Sequence, residues 1–334
     1  MRTNLNVSVV MLAAMAMGLQ ACGLPFLAGN GPTQAPIAPT QPPAQPAIVH
    51  SLVPNAGNVQ VSNAHDNEES TTFDEKSVRG GDEFINNHFE RPFTAHDMAY
   101  LPYIDIVDAA MTKDDNFYYV QIKLAGVDSA SGGVKGYYGA EFDLDKDGRT
   151  EFLILGKAPT GSNWTTDGVK LFTDNNGDIG GLSSRPDEAY TGNGYETTVF
   201  DSGNGDDPDM VWIRFVNSSA PIVELAFKKA VLKDYPTFMF SVLASGNELD
   251  PTKMYFNDTF TEQRAGSPEK GNQYYPLNEL AAFDNTCRLP SGFQPTGNEP
   301  YGCQVTHERP DQIYQWTPGK LTIHLVFPVY QIQP

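Results

Sequence analysis

The chain has 334 residues, 19% of them charged and 40% hydrophobic, with 30 glycines and 25 prolines. This turn-rich balance argues against a long helical bundle or coiled coil, and the length allows one large β-domain or about two average ones. A net charge of −19 repels a polyanion, so nucleic acid is a poor partner, and three cysteines are too few for a disulfide scaffold.

Residues 1–21 read as a signal peptide. Arg2 precedes the apolar run Val7–Met17, which is too short to cross a bilayer but suits the core of a secretory signal. The run leads to Leu19-Gln20-Ala21-Cys22, which resembles the lipobox of bacterial lipoproteins. That resemblance implies cleavage before Cys22, lipidation of its thiol and an extracytoplasmic, membrane-anchored protein. Residues 22–74 are expected to form a linker. Its first part carries Pro32, Pro36, Pro39, Pro42, Pro43 and Pro46 among Gln, Ala and Thr, has no hydrophobic period and reads as a disordered tether.

Residues 75–334 are expected to form one domain. Phe117–Leu124 alternates, with Tyr118, Val120, Ile122 and Leu124 on one face. Strand-like runs follow at 136–144, 151–155, 169–173, 195–200, 210–216, 222–227, 238–243 and 321–329, separated by Gly, Asn, Asp and Pro clusters. Helical periods are short, at 226–232 and 277–282. The pattern predicts an all-β, jelly-roll-like sandwich of two antiparallel sheets. Cys287 and Cys303 enclose a Pro- and Gly-rich loop with no hydrophobic face of its own, and secretion favours a disulfide between them.

The strongest chemical signal is Asp143-Leu144-Asp145-Lys146-Asp147-Gly148-Arg149. Three carboxylates at alternate positions converge when the chain turns, and Gly148 permits the turn. Oxygen ligands in a flexible loop suit Ca²⁺. The run resembles the first half of an EF-hand loop, with Arg149 offering its backbone carbonyl. It departs at the twelfth position, where Ile154 replaces Glu, and its flanks read as strands, so a remote carboxylate is expected to complete the shell. The alternative is a solvated Asp-rich turn. Asp174, Asn176 and Asp178 form a second candidate, to be completed by Asp206, Asp207 or Asp209, with a polar hairpin loop as the competing reading.

Catalytic motifs are missing. The chain has no His-Glu-x-x-His, no Gly-x-Ser-x-Gly and no P-loop, and its six histidines are scattered. Glu141, Glu151, Glu196 and Glu224 lie on expected strands, but nothing selects a pair for glycoside hydrolysis.

The run PYIDIVDAAMTKDDNFYYVQIKLAG followed by GYYGAEFDLDKDG resembles the DOMON and family 9 carbohydrate-binding superfamily of β-sandwiches. The body from about Tyr100 to Cys303 is also similar to uncharacterised surface lipoproteins of environmental bacteria, through Asp167-Gly168-Val169, Gly205-Asp206-Asp207-Pro208-Asp209 and Asp284-Asn285-Thr286-Cys287. The superfamily resemblance implies a sandwich that binds sugar or haem without catalytic residues. No pairing among His88, His96, Met98 and Met111 marks a haem. Sugar-binding members use exposed aromatics, and Trp164, Tyr137, Tyr138 and Trp316 are the candidate platform, against a reading in which they fill the core or its rim. The expectation is therefore a lipid-anchored, calcium-stabilised, non-catalytic binding module at the cell surface, with a glycan or envelope polymer as ligand. The alternatives are a secreted polysaccharide hydrolase and a calcium-dependent adhesion or structural protein.

Overall fold

The computed structural model describes residues 48–57, 59–65, 82–180, 192–233, 235–303, 313–317 and 320–324. The expected signal, Cys22 and the Pro-rich stretch up to residue 47 lie outside them. Among the described residues no helix is long and apolar enough to cross a membrane.

Two antiparallel sheets make the predicted all-β sandwich. The first runs β1 (Val59–His65), β3 (Ile106–Lys113), β4 (Phe117–Leu124), β10 (Pro221–Lys228) and β9 (Val211–Asn217). The second runs β2 (Glu90–Arg91), β12 (Phe283–Asn285), β11 (Phe238–Ser245), β5 (Tyr137–Asp143), β6 (Phe152–Lys157), β7 (Val169–Thr173) and β8 (Thr197–Asp201), with β13 (Leu289–Ser291) also paired to β11. A separate hairpin joins β14 (Ile313–Thr317) to β15 (Lys320–His324).

Period-2 patterning decides which residues meet between the sheets. Val120, Ile122 and Leu124 of β4 point inward, as do Val223, Leu225 and Phe227 of β10, and register sets Val120 opposite Leu225 and Ile122 opposite Val223. The other sheet answers with Tyr138, Ala140 and Phe142 of β5, Ile154 of β6 and Phe240 and Val242 of β11. Phe142 and Phe227 meet edge to face with ring centroids 5.0 Å apart. Each such side chain contributes about 1.5–3 kcal/mol when removed from water.

The outer face of the larger sheet is covered as well. Leu153, Leu155, Phe172 and Leu243, with Phe283 of β12, project there and meet Phe84, Phe89, Phe256 and Leu280 from a cap of irregular chain and two one-turn helices, α1 (Phe256–Thr259) and α2 (Glu262–Ala265). Arg91 is fully buried and ties this cap to β2. It makes a two-point contact with Asp82, at 2.9 and 2.7 Å, and donates to the carbonyls of Ala265, Leu280 and Gly266.

Three sequence expectations change. The folded body starts well before residue 75: β1 pairs along β3, and Val61 packs against the core. An edge strand needs few apolar residues, because it has one neighbour and a limited buried face. The run 226–232 is the end of β10 followed by a 3-10 turn, Lys229–Leu232, and 277–282 is irregular, with Ala282 in the left-handed region at φ 56°. Apolar spacing there reflects burial in separate clusters, Val231 and Leu232 between the sheets and Leu280 in the cap, rather than one helical face.

The Cys287–Cys303 disulfide is present, with the Cα atoms 4.9 Å apart. It holds Arg288 beside Tyr301: the Arg288 N–H donates to the Tyr301 carbonyl at 2.9 Å, and the Cys303 N–H to the Arg288 carbonyl at 2.9 Å. Replacing both cysteines with serine should lower unfolding stability by about 3 kcal/mol in the loop-closure account, read as a shift in urea midpoint. An unchanged midpoint would mean that the loop is held without the bridge.

Candidate metal centre

The first acidic loop joins β5 to β6, and the hairpin mouth is closed by the Glu151 N–H donating to the Phe142 carbonyl at 2.9 Å. Turning so tightly takes left-handed backbone at Lys146 (φ 66°) and Gly148 (φ 91°). Only glycine adopts the second without strain. The turn is written by its own carboxylates. Asp143 accepts from the Lys146 N–H at 2.7 Å and the Gly148 N–H at 3.0 Å, Asp145 from the Asp147 N–H at 3.2 Å, and Asp147 from the Arg149 N–H at 2.8 Å.

Asp143, Asp145 and Asp147 converge as the alternate spacing requires, and Glu151 joins them. Each offers one carboxylate oxygen, and these oxygens lie within 4.8 Å of one another. The cluster could hold a metal ion. Sequence reasoning missed Glu151 as a ligand, although it stands eight residues after Asp143, at the ninth position of an EF-hand-like count.

Neighbouring elements set the electrostatics. Asp143 is fully buried and also accepts from Arg288 Nη1 at 3.0 Å. Burial pushes its carboxyl above the ordinary range, and the Arg288 charge opposes that. Glu151 is pushed up to about 7, first by burial and then by the charges of Asp143 and Asp145, against the Leu144 N–H that it accepts at 2.6 Å. Arg149 turns its side chain onto Asp147 at 3.1 Å. Its backbone bridges Gly180, where a Cβ would stand 2.5 Å from the Gly148 carbonyl oxygen, so the second acidic loop packs directly on the first.

The second loop shapes its turn with the same kind of side-chain-to-backbone contacts as the first. Among the described residues, only two groups of three or more acidic, His or Cys side chains gather ligand atoms this closely, and neither includes Asp174 or Asp178. Asp174 accepts from the N–H groups of Asn176, Gly177 and Ile179, and Asp178 from those of Asn193 and Gly194. Asn176 donates to the Asn193 side chain at 2.9 Å. These contacts fix the backbone of the turn. Two of the carboxylates expected to complete a site there are held by other partners. Asp207 pairs with Lys228 at 2.6 Å, and the fully buried Asp209 clamps the chain ahead of β1, accepting from His50, Ser51 and Leu52. Asp206 belongs to neither acidic group.

The other close group is Glu90, Asp105 and Asp284, all buried, and it too could hold a metal ion. Pairing of β2 with β12 sets Glu90 directly opposite Asp284. Tyr100 donates to Asp105 at 2.5 Å and the Ile106 N–H to Asp284 at 2.6 Å. No short-range motif announces this trio, because its members come from three separate segments.

Among the described residues the platform candidates are not brought to one face. Tyr138 is wholly buried in the core, with its hydroxyl donating to the Tyr103 carbonyl at 2.5 Å. Tyr137 points the other way and packs against the cap cluster. Trp164 lies on the outer face of the smaller sheet, where the Arg214 guanidinium covers its ring at 4.2 Å and its N–H donates to the Asn55 carbonyl at 3.2 Å. Trp316 falls on β14, where side chains are outside the described structure. The glutamates considered for hydrolysis are dispersed: Glu224 is held by Arg214 and Gln121 on the smaller sheet, Glu141 by Tyr195 on the larger, Glu151 is in the acidic loop, and Glu196 accepts from the Asn175 N–H. Comparison with protein-family models, with curated proteins and with solved structures finds no match.

Proposed function

We propose that this chain is a lipid-anchored, calcium-stabilised β-sandwich that serves as a non-catalytic binding module on the extracytoplasmic side of a bacterial envelope, with a glycan or envelope polymer as ligand. The observation that carries the calcium reading is the convergence of Asp143, Asp145, Asp147 and Glu151 on one point in a turn whose backbone is already formed. Four oxygen donors, one exposed and two partly exposed, suit a hard cation that keeps some water in its shell. Arg288 and Arg149 offset only part of the charge. The Cys287–Cys303 disulfide accords with an oxidising compartment, and the lipobox-like Ala21-Cys22 supports the anchor.

Calorimetry of the mature chain tests the metal. Millimolar calcium should raise the melting temperature over that in excess chelator, and Asp145→Asn should abolish most of the rise. Identical transitions in calcium and in chelator would reject it. Co-sedimentation with insoluble polysaccharides tests the ligand. Retention without release of reducing ends fits a binding module, whereas release that vanishes in Glu141→Gln would replace that reading with a hydrolase.

A further inference from the structure

The cap over the larger sheet encloses a cleft that has no part in the acidic loop. It lies between the end of β11, the turn that follows and α1, and has a volume of about 190 Å³. For scale, an apolar cavity of about 150 Å³ accepts benzene. The cleft thus has room for one ring-sized apolar group. Its walls are apolar and largely aromatic: Leu249, Phe256, Phe260, Leu280 and Phe283.

Its rim is acidic. Glu248, Asp250 and Glu279 stand there with one lining cation, Lys253. Lys253 pairs with Asp250 at 3.2 Å, and Glu279 is taken by Arg264 at 2.5 Å. Glu248 is exposed and has no ion pair among the described residues. An aromatic wall beside unsatisfied negative charge attracts organic cations, because the ring faces carry negative potential and the cation's apolar part fills the cleft. The wall already shows this preference: the Arg264 guanidinium lies 5.4 Å from the Phe260 ring centroid. The chain's net charge of −19 strengthens the attraction at low salt.

We propose that this cleft is a binding site for a small organic cation of the aralkylammonium class, its ring between Phe256, Phe260 and Phe283 and its ammonium group at Glu248. The site goes beyond the calcium-loop reading and does not depend on it.

Titration calorimetry with the mature chain tests this, using phenethylammonium and its neutral counterpart 2-phenylethanol as probes. The ammonium should bind at least tenfold more tightly than the alcohol. Glu248→Gln, a surface change that leaves the fold intact by circular dichroism, should remove at least threefold of the ammonium affinity and leave the alcohol unaffected. Nuclear Overhauser contacts should place the probe ring against Phe256 and Phe260. Equal binding of the two probes, no saturable binding of the ammonium, or unchanged ammonium affinity in Glu248→Gln would each overturn the proposal.

Discussion

Arg91→Ala is expected to destabilise the domain by about 3–5 kcal/mol, the range for removing one member of a buried ion pair. The guanidinium satisfies Asp82 and three carbonyls that close the cap, those of Ala265, Gly266 and Leu280. Its Cζ also lies 5.4 Å from the Phe84 ring centroid and 5.3 Å from that of Phe89. Truncation leaves the Asp82 carboxylate buried without its partner and orphans the three carbonyls. Burial already pushes the Asp82 carboxyl upward, with Arg91 as the main opposing influence, so the variant should take up a proton there on folding. Arg91→Lys should rescue little, because a single ammonium cannot span a two-point carboxylate contact and three carbonyls. Urea unfolding followed by tryptophan fluorescence measures the loss. A cost below about 1 kcal/mol for Arg91→Ala would show that the cap is held by its apolar contacts alone.

Calcium at one hundred times its dissociation constant should add about 2.7 kcal/mol to the stability of the folded state, a condition reached near 10 mM if the loop binds at about 10⁻⁴ M. The pH dependence identifies the residues. Without metal, the Glu151 carboxyl is raised from the ordinary 4.5 to about 7 in the folded state. The folded protein then binds more protons than the unfolded chain between these values, so its stability falls as pH rises from 4.5 to about 7. A bound cation favours the ionised carboxylate and should flatten that decline. By the same linkage, apparent calcium affinity should rise with pH up to about 7 and level off above it. Melting temperatures in chelator and in calcium, at pH 5.5 and pH 8, test both halves. Glu151→Gln should shrink the pH-dependent decline seen in chelator, leaving the part due to other raised carboxyls such as Asp143, and should remove most of the calcium effect at pH 8. A calcium effect that is the same at both pH values in the wild-type chain would separate Glu151 from the metal.

The role of Arg91 and the role of Asp145 differ in how readable they are. Asp145 sits two residues from both Asp143 and Asp147, and carboxylates at that spacing meet whenever the chain turns at Gly148. Their convergence is local and needs no knowledge of the sheets. Arg91, by contrast, is one basic residue between Glu90 and Pro92, and nothing nearby predicts that it reaches carbonyls 174, 189 and 175 positions away. Asp209 misled for the same reason. It stands in an acidic run that looks like a ligand cluster, yet it is buried against residues 50–52, some 157–159 positions earlier.

By itself, then, the sequence determined most of the central strands, the acidic turn and the disulfide, but not edge strands such as β1 and β2. Alternation over five to eight residues suffices to orient a strand, oxygen donors two apart suffice for the turn, and Cys287 and Cys303 flank a Pro- and Gly-rich loop with no hydrophobic face of its own. Tertiary structure alone decided that Arg288 reaches Asp143 across 145 positions, that Glu90 faces Asp284 across a sheet and that the cap carves a cleft beside α1. Those contacts follow from strand register and from how the irregular chain settles over an apolar face. Both are set by the total burial of distant segments, which no short window of residues encodes.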